Sequence, residues 1–272
     1  MLACAAASFV MPASSAGAQM AAQSPALAGI AHAALRVSDL VKTRDFYEKL
    51  GFEEAFAMSR DGAPTESFLK INDRQFIELY PQREPAQTIG FMHVCFEAND
   101  LARLNATYMA SGLSPTPVKR AGAGNLLFTM VGPEKQNIEY TQYMPGSKHT
   151  EDRGKHLGAN RISAHLVGLS VEMDDPGAAR EFYEQKLGFH SARHDLRPGA
   201  VSLDLPGGSG QKIEIAQKAA GSAFELVFGV ASVKKTGKQL KSLQIPVEKR
   251  GGILVIHDPD GNRVLFLKFT AQ

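Results

Sequence analysis

Four residues of this 272-residue chain have the types and spacing to hold a metal ion: His32, Glu78, His93 and Glu139. His32 opens the stretch Ile30-Ala-His32-Ala-Ala-Leu35-Arg36-Val37-Ser-Asp39-Leu40, and His93 opens Phe91-Met-His93-Val-Cys95-Phe96-Glu97-Ala98-Asn-Asp100-Leu101. Each His is followed by apolar residues three and five places on, then by Asp-Leu. Glu78 stands alone among apolar residues in Phe76-Ile77-Glu78-Leu79-Tyr80, as does Glu139 in Asn137-Ile138-Glu139-Tyr140. Each Glu lies 46 residues beyond its His, and one shift of 61 residues superposes the two pairs. A single strand His is ordinarily structural, and a single strand Glu ordinarily faces water. Four such residues repeated in register point to one metal site built by a duplicated unit.

The elements that must position these residues are short strands and amphipathic helices. Ile30 to Val37 is expected as a strand, followed by a helix with Asp39 as N-cap and Gly51 just past its end, where a positive φ is easiest without a Cβ. Strands over Phe52 to Met58, Glu66 to Ile71 and Arg74 to Tyr80 complete a β-α-β-β-β order, with a turn at Asp61-Gly62. The second unit repeats it: a strand over Phe91 to Ala98, a helix from Asp100 to Ser111, and strands near Pro117 to Lys119, Leu126 to Val131 and Asn137 to Gln142. A third unit starts at Ser163-Ala-His165-Leu166, and its helix has Asp175 as N-cap, Pro176 at the first position and Gly188 as the stop. Its Arg180-Glu-Phe182-Tyr183 echoes Arg44-Asp-Phe46-Tyr47. A fourth runs from Glu225 through a helix over Val233 to Leu243 and ends at Asp258-Pro-Asp-Gly-Asn262-Arg-Val-Leu265-Phe. Along the first strand His32, Ala34 and Arg36 share one face, opposite Leu35 and Val37. An isolated Glu facing an apolar core would be costly, so both Glu residues are expected on a concave, metal-bearing face.

Composition narrows the class. Hydrophobic residues make up 44% and charged residues 21%, enough apolar material for a core. A net charge of +2 and no basic stripe set nucleic acid aside. The two cysteines, Cys4 and Cys95, exclude a disulfide framework, and Cys95 reads as a small buried hydrophobe without a role. Residues 1–29 read as a signal peptide and leader with a small-residue site at Ala16-Gly17-Ala18, though without a basic start, and imply a secreted or periplasmic protein, or a cytoplasmic one if the leader is not a signal. The apolar run is too short to span a bilayer. Residues 30–144 then form a site-bearing domain, 145–160 a polar linker with His149 and His156 solvated, and 161–272 a second domain. Tyr140 and Tyr143 read as packing residues.

The pattern His-x-x-Leu-x-Val-x-Asp-Leu, then Phe-Tyr-x-x-x-Leu-Gly-Phe, then a Glu strand resembles the vicinal oxygen chelate superfamily, which includes glyoxalase I, extradiol dioxygenases and bleomycin-resistance proteins. The resemblance spans Ile30 to Phe269. It implies an α+β fold of four βαβββ modules paired into two cup-shaped mixed sheets, with His32, Glu78, His93 and Glu139 as ligands. The ligand order is nearest to glyoxalase I, whose first strand also carries an Arg that helps hold substrate, which gives Arg36 a substrate-binding role. The Asp-Pro-Asp-Gly turn usual before the last Glu is replaced here by Gly132-Pro133-Glu134-Lys135-Gln136-Asn137.

Two imidazoles and two carboxylates suit one divalent ion: Zn, Ni, Co, Mn or Fe(II). A small substrate with vicinal oxygens would chelate it, and the ion would stabilise the charge left as a proton leaves the adjacent carbon. Glu139 or Glu78 would be the catalytic base. This lyase or isomerase reading stands ahead of an extradiol Fe(II) dioxygenase, which needs two His and one carboxylate and would be obstructed by Glu78 as a fourth ligand. A metal-free binding protein is the third reading. In the second half, counting back from Val171 sets Leu166 at the place of His32, with Glu214, Glu225 and Leu265 at those of Glu78, His93 and Glu139, so no metal is expected there. Two halves in one chain fit a monomer or a homodimer.

Overall fold

The computed structural model describes residues 26–195, 201–218 and 224–270. The first unit is β1 (Leu27–Val37), α1 (Leu40–Lys49), β2 (Glu54–Arg60), β3 (Ala63–Asn72) and β4 (Gln75–Pro81). The second is β5 (Gly90–Ala98), α2 (Leu101–Ala110), β6 (Lys119–Arg120), β7 (Leu126–Val131) and β8 (Asn137–Gln142), and a short helical turn, α3 (Lys148–Glu151), follows. The third is β9 (His165–Met173), α4 (Pro176–Leu187), β10 (His190–Ser191), β11 (Val201–Asp204) and β12 (Lys212–Gln217). The fourth is β13 (Glu225–Val230), α5 (Val233–Ser242), β14 (Glu248–Arg250), β15 (Ile253–His257) and β16 (Arg263–Lys268). These are the four expected modules. The first strand starts at Leu27, three residues before the expected Ile30. Most of the leader reading falls on residues outside those described.

Local chemistry explains the punctuation. Asp39, Asp100 and Asp175 each accept a hydrogen bond from the amide three residues on, capping α1, α2 and α4. Asp61 (φ 52°) and Gly62 (φ 77°) form the two-residue hairpin between β2 and β3, both in the left-handed region that a type I′ turn requires.

The two eight-stranded sheets have the same order, β2-β3-β4-β1-β5-β8-β7-β6 and β10-β11-β12-β9-β13-β16-β15-β14. β1 runs parallel to β4 and antiparallel to β5, which runs parallel to β8, so the two His strands lie side by side at the centre. Leu35 and Val37 face the side opposite His32 and join a hydrophobic core continuous through both sheets. Aromatic stacks cross between the halves, Phe52 on Phe228 and Phe91 on Phe224, with ring centroids 5.1 and 4.2 Å apart. Polar locks repeat with the same logic: Tyr47 donates to Asp258 on the fourth unit's turn (3.3 Å), and Tyr183 donates to Gln136 on the second unit's turn (2.7 Å). The departure at Gly132 to Asn137 thus has a structural use. Glu134 accepts from the amides of Asp174 and Asp175 at the start of α4.

The polar stretch after β8 folds onto the first cup. Lys70, fully buried on β3, donates to the Asp152 carboxylate at 2.7 Å and pairs with Asp73 at 2.8 Å. His149 is therefore buried and not solvated as its polar surroundings suggested, whereas His156 is exposed beside Asp152. Further on, Ile162 donates to the Leu50 carbonyl, and the chain passes so close to Gly51 (φ 87°) that a Cβ there would lie 2.4 Å from the Arg161 Cα. Gly51→Ala is expected to lower the unfolding free energy by about 2 kcal/mol or more, through backbone strain and displacement of residues 160–162. Denaturant unfolding of the variant at an unchanged midpoint would contradict this close approach.

Candidate metal centre

Strand pairing sets the four donors in two rows across the concave face. One row reads Phe76, His32, Cys95, Glu139 across β4, β1, β5 and β8; the next reads Glu78, Ala34, His93, Asn137. Ala34 is the small residue between Glu78 and His93, so longer side chains converge above it. His32 Nε2 lies 3.1 Å from His93 Nε2 and 3.4 Å from Glu139 Oε1. His32 Nδ1 lies 3.0 Å from Glu78 Oε1, but at an angle that makes no hydrogen bond. The structure thus brings all four predicted residues together, with Glu78 on the opposite ring nitrogen from His93 and Glu139.

This arrangement fits a metal ion. Neighbouring ligands at right angles on bonds of about 2.1 Å stand about 3.0 Å apart, close to the distances of His93 Nε2 and Glu139 Oε1 from His32 Nε2, and two three-donor groups share His32: one with Glu78 and His93, one with Cys95 and Glu139. Two neutral imidazoles facing each other through Nε2 can share only one proton, and two carboxylates complete a cluster short of positive charge. The protonation preferences show the same demand. Burial opposes a charged His32, yet Cys95, Glu78 and Glu139 around it hold its pKa well above the usual imidazole value. Burial would raise Glu78, but the charges of His32 and then His93 bring it down to about 2. Glu139 is lowered against its own burial by the bond and charge of His32 and by His93. Burial, and next to it the charge of His32, lowers His93.

Several residues of the site carried no such signal in the sequence. Cys95 sits between His32 and Glu139 in its row and joins them in one three-donor group. Tyr80, two residues past Glu78 and so on the same face, donates to Glu78 Oε2 at 3.0 Å. Glu66 reaches the cavity from β3, its pKa raised by burial and by Glu78 and Glu139. The cavity above the donors has a volume of about 290 Å³ and is lined further by Lys119, Arg120 and Tyr143. Arg36 is not among the lining residues; its guanidinium donates to the Thr88 carbonyl at 3.2 Å. Tyr140 is a core residue, as expected, and Tyr143 donates to the Arg74 carbonyl.

His149 was unreadable because it comes from α3, outside the repeating strands. Phe56, Phe68 and Phe76 meet its ring edge-on, and Tyr143 stacks on it at 5.1 Å. The Asn125 amide donates to its Nδ1 at 2.9 Å, which leaves the proton on Nε2, a buried atom without a protein partner beside the cavity.

The second cup lacks the donor set. Pairing of Glu214 with Ser170 matches that of Glu78 with Ala34, so Gly168, not Leu166, stands at the place of His32. Counting from Val171 misjudged the strand's length to its cap by two residues. A two-residue offset keeps the same face, so the conclusion is unchanged: no imidazole arrives, and His165 is exposed against Phe269. Glu225 stands at the place of His93 and pairs with Arg263 at 2.8 Å; Leu265 replaces Glu139 within an apolar cluster. Among the described residues, three or more His, Cys, Asp or Glu donors converge only in the first cup.

Residues 29–139 match the Glyoxalase/Bleomycin resistance protein/Dioxygenase superfamily. Over those residues the chain is similar to that superfamily, whose fold is the vicinal oxygen chelate fold. The 2,3-dioxygenase LapB from Pseudomonas sp. KL28 has a similar fold at 18% identity and a TM-score of 0.66, over 91% of this chain and 94% of that one. An extradiol ring-cleaving dioxygenase from B. fuscum gives 16% and 0.67, over 91% and 74%. Homoprotocatechuate 2,3-dioxygenase from Brevibacterium fuscum, in an anaerobic complex with 3,4-dihydroxyphenylacetate, gives 17% and 0.65, over 91% and 83%. At such identities the likeness is one of fold. Comparison with curated proteins gives no match.

The buried His149 makes a pH prediction. Burial lowers its pKa from 6.5 to about 4, outweighing the nearby carboxylates. The unfolded chain therefore takes up the proton first as pH falls. Its contribution to stability is whole above pH 6.5 and is lost towards pH 4, on the order of 3 kcal/mol. His149→Asn should flatten the fall in unfolding free energy between pH 7 and pH 4 by about that amount; an equally steep fall in the variant would rule out a neutral buried imidazole.

Proposed function

We propose that the first cup is the active site of a metal-dependent enzyme that chelates a small substrate through two neighbouring oxygens and moves a proton, as a glyoxalase I-like lyase or isomerase. The observation that carries this is Glu78: a buried carboxylate beside the donor cluster, its Oε2 engaged by Tyr80 and its Oε1 directed to His32. His32 Nε2, His93 Nε2 and Glu139 would hold the ion, with Glu78 able to join them. Such an ion would supply Lewis-acid polarisation of the two substrate oxygens and neutralise the charge that develops beside the departing proton. Glu78 Oε1 takes the proton, while Tyr80 keeps Oε2 occupied and fixes the direction of Oε1. A neutral His32 and an anionic substrate leave burial as the dominant influence on Glu78, and burial raises a carboxyl group towards the range of a working base. His149 Nε2–H and the Lys119–Arg120 edge offer donors to the rest of the substrate.

A second reading, extradiol ring cleavage, is favoured by a separate observation. Glu78 stands on Nδ1 of His32, away from Nε2, and His32, His93 and Glu139 would supply the two-His, one-carboxylate set that leaves three positions on an Fe(II) ion. Glu78 would then orient His32 instead of acting on substrate. The small-residue site at Ala16-Gly17-Ala18 supports export, which N-terminal sequencing of the mature protein would show.

Elemental analysis of the purified protein is expected to show about one divalent ion per chain, and His32→Ala, His93→Ala and Glu139→Ala to weaken its retention by roughly tenfold or more. With metal restored, Glu78→Gln should lower solvent-deuterium exchange into α-hydroxycarbonyl substrates by about 10²- to 10⁴-fold, with no dependence on O₂. Oxygen uptake with a catechol that survives Glu78→Ala would replace this reading with ring cleavage. A metal-free protein indifferent to His32→Ala would sink both.

A further inference from the structure

A second concavity lies far from the donors in sequence, between α5 and the β14–β15 hairpin, with a volume of about 630 Å³. Its rim is cationic. Lys234, Lys238 and Lys241 occupy one stripe of α5 at spacings of four and three residues, and Lys249 faces them from β14. All four are exposed. The ion pairs formed among the described residues use none of them, and the nearby Glu248 is engaged by Arg250. α5 packs on its sheet through Thr236 and Leu240, so the lysine stripe takes no part in holding the helix.

The floor is apolar and includes Gly237, Ile253 and Leu254. Gly237 is informative because it lies inside the helix, where glycine is destabilising relative to alanine. A Cβ there would meet only Leu254 side-chain atoms, at 3.5 and 3.9 Å, which is ordinary van der Waals contact. Packing therefore does not require glycine. Its missing side chain leaves the floor open beside Leu254.

We propose that this groove binds a small amphipathic anion, an apolar body bearing a carboxylate or phosphate. The apolar part lies over Gly237, Ile253 and Leu254, and the head group takes the lysine rim. The volume is that of a small-molecule site. The apolar floor argues against a bare inorganic anion, and the unpaired lysines against a neutral ligand.

Amide NMR titration of the whole protein with octyl phosphate and with octanoate, below their aggregation limits, tests this. Both should bind saturably, with the largest shifts at the Gly237 and Gly252 amides. The double variant Lys238→Glu/Lys241→Glu should weaken binding by roughly tenfold or more. Gly237→Ala is the discriminating variant: its Tm should rise while affinity falls by roughly threefold or more. Inorganic phosphate or octanol binding as tightly as octyl phosphate would overturn the proposal, as would shifts centred on the first cup. So would charge-dependent binding of polyglutamate or phosphatidylglycerol vesicles in place of the octyl anions, since the groove would then belong to a macromolecular partner.

Discussion

The constraint on which the structure depends is the shortage of positive charge at the centre of the first sheet. Glu78, Glu139 and His93 are each brought within 3.4 Å of His32 with little access to water. Each buried ion costs several kcal/mol in order of magnitude unless it is paired. The cluster meets that cost only by sharing a cation. A proton on His32 does so in part, and a divalent ion would do so more fully. Placing such a cluster on the four central strands, β4, β1, β5 and β8, holds it on the most thoroughly bonded part of the fold, where side-chain directions are set by sheet register and not by loops.

The opposite face of those strands provides the rigidity. Leu35, Val37, Val94 and Phe96 point away from the donors into a core that continues beneath both sheets. The second half does not merely accompany the first. Its Phe224 and Phe228 stack on Phe91 and Phe52, and its Asp258 turn receives Tyr47. Yet its own cup holds Gly168 and Leu265 where the first has His32 and Glu139, and it lines that region with Val227, Val255 and Leu265. The same architecture thus serves once with two imidazoles and two carboxylates at the four places and once with Gly168, Glu214, Glu225 and Leu265 there.

Sequence periodicity alone determined the module order, the helix caps at Asp39, Asp100 and Asp175, and the shared face of His32, Glu78, His93 and Glu139, because a duplicated unit repeats its residues at fixed intervals and strand alternation assigns their face. It also determined that no imidazole stands at the places of His32 and His93 in the second cup, even with Leu166 taken for Gly168, since an offset of two leaves a strand's face unchanged. Tertiary structure decided what no interval encodes. Cys95 became the neighbour of His32 and Glu139 through cross-strand pairing. Lys70 drew Asp152 inward and carried His149, from a segment that reads as a solvated linker, into an aromatic box beside the cavity. Glu78 came to rest on Nδ1 of His32, while His93 meets Nε2. Periodicity records which face a residue takes, but not which atom of a ring meets which partner; that depends on side-chain packing across strands distant in the chain.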